Sequence, residues 1–238
     1  LVSLGVTVLM LVLVSFNKAI WRLPPHDPKS TSAIELFKGL GRVAANPRMW
    51  LIVLINTAAS ALTITVVVWS PGFLEDQRGA LGLAAYMTAG LGVAQLLGNP
   101  AGAALMGRFG RPVTLMGVMA AMTVFTALVP MPPGLLAAFI MVLFAAFLSL
   151  MALPPVLGSI PEIVERPEDV GPAAGFMGLT NLVGMSLAPW VFGLLLDVYG
   201  RGPGEHGYTA GYLVLALFPL VGFFAALVYW LVMRKSAS

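Results

Sequence analysis

Several uncharged polar side chains lie in the middle of long apolar stretches, where they could hydrogen-bond a small molecule. Asn56, Ser60 and Thr63 follow i, i+4, i+7 spacing, which places them on one face of a helix. Gln95 and Asn99 lie one turn apart in the next apolar stretch. A later stretch carries Thr180, Asn181, Ser186 and Trp190. The alternative is that each polar side chain bonds only a neighbouring helix, a contact that in membranes averages below about 1 kcal/mol.

The residue types that usually carry catalysis or hold metals are scarce. The chain has no cysteine, and His26 and His206 each stand alone, without a second ligand at metal-binding spacing. No paired carboxylates and no Ser–His arrangement fall within the apolar stretches. We therefore expect no catalytic residue, no metal and no cofactor, and an intramembrane enzyme is disfavoured.

Composition indicates the elements that carry these residues. The chain is 59% hydrophobic and 10% charged, whereas a soluble domain carries about 25% charged residues. A helix needs about 20 apolar residues to cross the hydrocarbon core. Six stretches meet this length, namely 49–73, 81–106, 112–129, 134–157, 172–198 and 208–233. The fold class predicted is an all-α membrane protein.

The sequence predicts four consecutive parts of the chain. Residues 1–16 are expected to end a transmembrane helix whose beginning precedes this sequence, and residues 17–48 to form a cytoplasmic linker. Residues 49–233 form the predicted six-helix bundle, and 234–238 a cytoplasmic tail. In the linker, a capping-box pattern at Ser32 and Glu35 opens a stretch whose apolar and charged residues segregate to two helical faces. This predicts an amphipathic helix at the membrane interface, or else a solvated linker.

The positions of the basic residues predict the orientation. If the first stretch ends in the cytoplasm, every lysine and arginine except Arg78 and Arg201 falls on the cytoplasmic side. This matches the positive-inside bias of membrane proteins. The carboxy terminus is therefore expected in the cytoplasm, and no ionisable group is expected deep in a crossing.

Small residues and prolines predict packing and bends. Gly90, Ala94, Gly98 and Gly102 recur every four residues and would let a second backbone approach closely. Pro100, Pro154, Pro155 and Pro189 interrupt helical hydrogen bonding, and mark either bends beside a cavity or static kinks.

One loop motif carries a resemblance to a known family. The sequence Gly107-Arg108-Phe109-Gly110-Arg111-Pro112 resembles the signature loop of the major facilitator superfamily, Asp-Arg-x-Gly-Arg-Arg, at its second occurrence between helices eight and nine. Arg108, Gly110 and Arg111 match, while Gly107 and Pro112 depart from the pattern. A second stretch, Pro161-Glu162 with Arg166 followed by a glycine- and proline-rich helix, is similar to the family's tenth-to-eleventh-helix region.

The resemblance implies the carboxy-terminal half of such a carrier, from the end of helix six through helix twelve. It implies that the stretches beginning at residues 49, 81, 134 and 172 contribute to a central cavity, which would contain the polar residues above. It also implies a cytoplasmic gate, for which Arg108, Arg111, Glu162 and Glu165 are the candidates. Arg108 is the arginine expected to pair with Glu162.

The function implied is secondary transport of a small organic solute by alternating access, in a bacterial inner membrane. The partners expected are the solute, the lipid bilayer and an amino-terminal six-helix half, supplied by the same gene or by a partner chain. The alternative is a non-transporting scaffold or sensor that retains the fold. The sequence leaves open the solute, the coupling ion and the direction of transport.

Overall fold

The computed structural model describes residues 33–80 and 82–236, and within this part of the chain all regular structure is helical. The predicted all-α fold is therefore confirmed. The helices are α1 (Ala33–Ala45), α2 (Pro47–Arg78), α3 (Ala84–Phe109), α4 (Arg111–Leu128), α5 (Leu135–Met151), α6 (Leu153–Ile163), α7 (Val170–Tyr199) and α8 (Gly207–Ser236). The predicted transmembrane stretch at 1–16 and most of the linker lie outside the described residues.

Five stretches of the described chain are long and apolar enough to cross a membrane. They contain α2, α4, the α5–α6 pair, α7 and α8. Helix α3 is also long, with 26 residues, but several glycines, Gln95 and Asn99 lower its mean hydropathy. It occupies the second predicted crossing, 81–106, which therefore stays a prediction.

Local chemistry sets the ends of the helices. Asn46 caps α2, because its side-chain oxygen accepts from the Arg48 backbone amide at 3.0 Å, and Pro47 has no backbone N–H that would need an acceptor. Gly79 ends α2 in the left-handed conformation, with φ 70°. Gly110, with φ 79°, is the one residue between α3 and α4, so the chain reverses direction sharply beside Arg108 and Arg111.

The fourth predicted crossing, 134–157, is broken in two. Helix α5 ends at Met151 and α6 begins at Leu153, immediately before Pro154 and Pro155. The break follows from the missing proline donors. Pro100 and Pro189, in contrast, lie inside continuous helices.

Packing centres on α2, which contacts α5, α7 and α8, while α3 packs on α5 and α4 on α8. The glycine ladder of α3 makes the α3–α5 contact close. A Cβ added at Gly98 would lie 2.2 Å from the Phe147 carbonyl oxygen, and one at Gly102 would lie 2.1 Å from that of Met151. The predicted packing role of these glycines is confirmed.

Within residues Phe37 to the carboxy-terminal end of α8, most of the surface of α7 is not covered by other helices. Leu182, Val183, Trp190 and Val198 are each about 60% exposed or more. Apolar patches of this kind on a protein surface mark contact with lipid or with another protein segment.

One face of helix α1 packs against other described residues. Gly39 and Val43 are buried, whereas Phe37 is 73% exposed. The predicted helix therefore exists, and Phe37, on its predicted apolar face, is not covered by the described protein.

Candidate functional site

The polar face of α2 meets α7 at Asn56. The side chain of Asn56 is buried, and its Nδ2 donates to Oδ1 of Asn181 at 2.7 Å. Gly184 makes this approach possible, because a Cβ there would lie 2.7 Å from the Thr57 carbonyl oxygen. Two predicted site residues from distant parts of the sequence are thus brought together.

The same face of α2 meets α3 at Gln95. Its Nε2 donates to the Thr63 carbonyl oxygen at 3.3 Å, and the Thr63 hydroxyl donates to Ala59 O in its own helix. Ser60 lies between these two contacts along α2 and is half-buried. One turn from Gln95, the Oδ1 atom of Asn99 is buried and has no hydrogen-bond partner among the described residues.

The remaining α7 residues do not join this group. The Thr180 hydroxyl donates to carbonyl oxygens of its own helix, at Phe176 and Met177. Ser186 is exposed and Trp190 is 62% exposed. We call the four carboxamides Asn56, Asn181, Gln95 and Asn99 the amide cluster; they lie along two separate contacts of α2, at Asn56 with α7 and at Thr63 with α3. Ser186 and Trp190 lie on the open surface of α7.

The amide cluster offers neutral hydrogen-bonding groups. A carboxamide has two donor hydrogens and an acceptor oxygen, so one contact between Asn56 and Asn181 leaves further capacity on both side chains. In the described residues every Asp, Glu, Lys and Arg side chain of α2 to α8 lies near a helix end. That part of the chain also contains no group of three histidine, aspartate or glutamate residues placed to hold a metal ion.

A charged cluster lies where α4 begins and α6 ends. Arg111 forms an ion pair with Glu162, and Nε of Arg111 lies close to Gly158, which has no side chain to obstruct it. Arg108 does not make the pair expected of it. Its guanidinium lies 5.4 Å from the centre of the Phe109 ring, because the turn at Gly110 directs the two arginines differently. Glu165 is exposed.

A second ion pair nearby was not predicted from the sequence. Arg42 of α1 donates from Nε to Oδ2 of Asp169 at 3.0 Å and from Nη2 to Oδ1. Beside it, Nδ2 of Asn46 donates to Ile163 O at 3.0 Å. Hydrogen bonding to Asp169 raises the pKa of the Arg42 guanidinium above its ordinary value. This contact, which we call the α1 latch, fastens the linker helix to the start of α7.

At the opposite end of the helices, α2 is tied to α8. The Tyr208 hydroxyl donates to Oδ2 of Asp76 at 2.6 Å, and Ser70 and Tyr212 share a hydrogen bond of 2.8 Å. Arg78 donates to carbonyl oxygens of the 128–134 connection, at Pro130 and Pro132. No sequence pattern indicated these partners, because serine, tyrosine and aspartate near the end of a helix are equally common where the side chains are simply exposed to water.

Comparison with known proteins gives a structural likeness. The E. coli fucose:proton symporter FucP is similar to this chain, with a TM-score of 0.73 and 18% sequence identity. The match covers 94% of this chain and 53% of the symporter, so the chain spans about half the length of that protein. No protein-family model matches the sequence, and no curated protein matches it.

Proposed function

Because the chain has the fold of about half of a major facilitator superfamily transporter, we propose that it is one half of a secondary transporter that moves a small organic solute by alternating access. The family fold predicted from the loop motifs is confirmed, and the chain is an integral membrane protein. The bacterial inner membrane and the cytoplasmic carboxy terminus remain predictions from the charge distribution.

The observation that carries the proposal is the amide cluster at mid-depth of the fold. Transporter sites usually lie near the bilayer midplane, between the two repeats. Asn56 connects α2 to α7 and Gln95 connects α3 to α2, so the four carboxamides lie along the contacts that α2 makes with both helices. Its neutral groups suit an uncharged polar solute or the polar part of a larger one. The solute itself, like the coupling ion, is left open.

The open surface of α7 supports a second half as the partner. Its large exposed side chains and the neighbouring Ser186 would be covered by another six-helix bundle on one side and by lipid on the other. The proposed pathway runs between the two halves, with the amide cluster on one wall. Whether the second half comes from the same gene or from a partner chain does not alter this arrangement.

The charged cluster is the proposed cytoplasmic gate. Arg111 and Glu162 join two helix ends on the same face, and their side chains are 32% and 44% exposed. An exposed pair of this kind contributes only about 0–1 kcal/mol to stability. A small contribution that differs between two conformations is nevertheless enough to shift their populations. We propose that this pair forms when the carrier opens outward and separates when it opens inward.

Transport in proteoliposomes tests the function. The full-length protein is reconstituted, and counterflow is measured with a panel of labelled probes: a neutral monosaccharide, a small carboxylate and a hydrophobic cation. Saturable counterflow of one probe, reduced at least tenfold in Asn56→Ala, is the expected result. A protein that remains folded but moves none of the three classes would favour the scaffold or sensor function instead.

A further inference from the structure

The chain has an apolar groove whose lining contains none of the four amide-cluster residues. It has a volume of about 430 Å³ and runs between α3, α4 and α5. This volume is within the range of about 300–1,000 Å³ typical of small-molecule sites. Its lining includes Leu105, Phe109, Val113, Gly117, Ala121 and Met151.

The groove runs lengthwise along the helices from the α3–α4 turn. Val113, Gly117 and Ala121 follow each other at four-residue steps on α4, so this wall extends about 12 Å from the turn into the membrane. Phe109 and Val113 at its entrance are 52% and 44% exposed. The groove therefore begins at one membrane surface and opens sideways toward the hydrocarbon.

The chemistry of the groove selects an apolar occupant. Thr114 is a polar residue in the lining, and its hydroxyl already donates to Gly110 O at 2.8 Å. Gly117 leaves a gap in the α4 wall, since a Cβ there would meet no atom within 4 Å. A polar solute would gain no hydrogen bond here, whereas a hydrocarbon chain would fill the space with van der Waals contacts.

A positive charge stands at the entrance. Arg108 is exposed at the end of α3, next to the groove-lining Phe109, and among the described residues no carboxylate lies within ion-pair distance of it. The neighbouring Arg111, in contrast, is paired with Glu162. An apolar groove that ends at an unpaired arginine at the membrane surface is complementary to a molecule with a hydrocarbon chain and an anionic head.

We propose that this groove binds one acyl chain of an anionic phospholipid, with the lipid phosphate against Arg108. The site is separate from the proposed transport pathway and does not depend on it. An arginine at the membrane surface contributes about 1 kcal/mol to binding an anionic lipid, which corresponds to about fivefold in affinity.

Native mass spectrometry of the detergent-purified, full-length protein tests the proposal. Phosphatidylglycerol and phosphatidylcholine with identical acyl chains are titrated separately, and the dissociation constant of the tightest-bound lipid is compared. Phosphatidylglycerol should bind about fivefold more tightly. Arg108→Gln should remove this preference. The matched control is Arg234→Gln, because Arg234 is also exposed and lies 5.5 Å from the Trp230 ring.

A second variant tests the acyl-chain part of the site. Gly117→Phe places a ring in the groove and should weaken both lipids alike, by at least tenfold. Its matched control, Gly92→Phe, adds the same ring at an exposed helical glycine whose Cβ would also meet nothing within 4 Å. Thermal unfolding of both phenylalanine variants at the wild-type temperature shows that neither disturbs the fold.

Four results would overturn the proposal. The wild type could retain no phospholipid, which would mean that another segment covers the groove. Gly117→Phe could bind lipid as well as Gly92→Phe does, or Arg108→Gln could keep the preference for phosphatidylglycerol. Finally, glycerol 3-phosphate, which has no acyl chain, could displace the lipid at equal concentration, and the site would then recognise a free phosphate.

Discussion

The crossing of α3 and α5 gives a prediction whose size follows from the structure. At Gly98 an added Cβ would lie 2.2 Å from the Phe147 carbonyl oxygen, whereas a carbon normally stays about 3.3–3.6 Å from such an oxygen. Gly98→Ala therefore forces the two backbones apart by roughly 1 Å. Overpacking of this kind typically costs about 1–3 kcal/mol.

The control for this change is Gly92→Ala in the same helix. A Cβ at Gly92 would meet nothing within 4 Å, and alanine favours helix over glycine by up to about 1 kcal/mol. Gly92→Ala should therefore be neutral or stabilising, while Gly98→Ala should be destabilised relative to it by at least about 1 kcal/mol. Denaturant unfolding in mixed micelles, followed by tryptophan fluorescence, measures both. If Gly98→Ala is as stable as Gly92→Ala, the two helices do not cross closely and the packing described here is wrong.

Two further predictions concern the ion pairs. At the α1 latch, Arg42→Ala should lower the Tm by about 2–4 °C. Adding Asp169→Ala should lower the Tm little further, because both changes break the same contact. Fully additive Tm shifts would show that the two residues act independently. At the proposed gate, Glu162→Gln should change the free energy of unfolding by less than about 1 kcal/mol but slow turnover, and a charge swap with Arg111 should recover part of the loss. Unchanged turnover in Glu162→Gln would leave the pair without a gating role, and Glu168→Gln, at an exposed carboxylate of the following loop, serves as the control.

Much of the fold was predictable because the relevant signals are local or periodic. The long apolar stretches located the long helices, with most ends within a few residues, and four-residue spacing identified the glycines of α3 as a packing face. Both follow from the low tolerance of hydrocarbon for exposed backbone polar groups. The break between α5 and α6 was likewise signalled by two adjacent prolines.

The partners of individual polar groups were not predictable in the same way. Arg42 and Asp169 are separated by 127 positions, and Asn56 and Asn181 by 125, so no local pattern relates them. Arg111, and not the predicted Arg108, pairs with Glu162 because the two side chains leave the turn at Gly110 in different directions. A positive φ at that glycine sets this direction, and one sequence does not report it. The sequence thus identified the polar groups that can hydrogen-bond or form ion pairs, whereas the partner of each group is known only from the folded structure.

Cysteine accessibility measures the proposed solute pathway most directly. This chain has no cysteine, so once any cysteine of the second half is replaced, single cysteines can be placed at Ser60, at Gln95 of the amide cluster, and at Val124 on the exposed side of α4. If α2 and α3 line a water-filled pathway, a membrane-impermeant maleimide should label the first two positions in the reconstituted full-length protein at least tenfold faster than Val124→Cys. Labelling of Ser60→Cys and Gln95→Cys as slow as that of Val124→Cys would contradict the pathway, and the polar residues would then only hold the helices together.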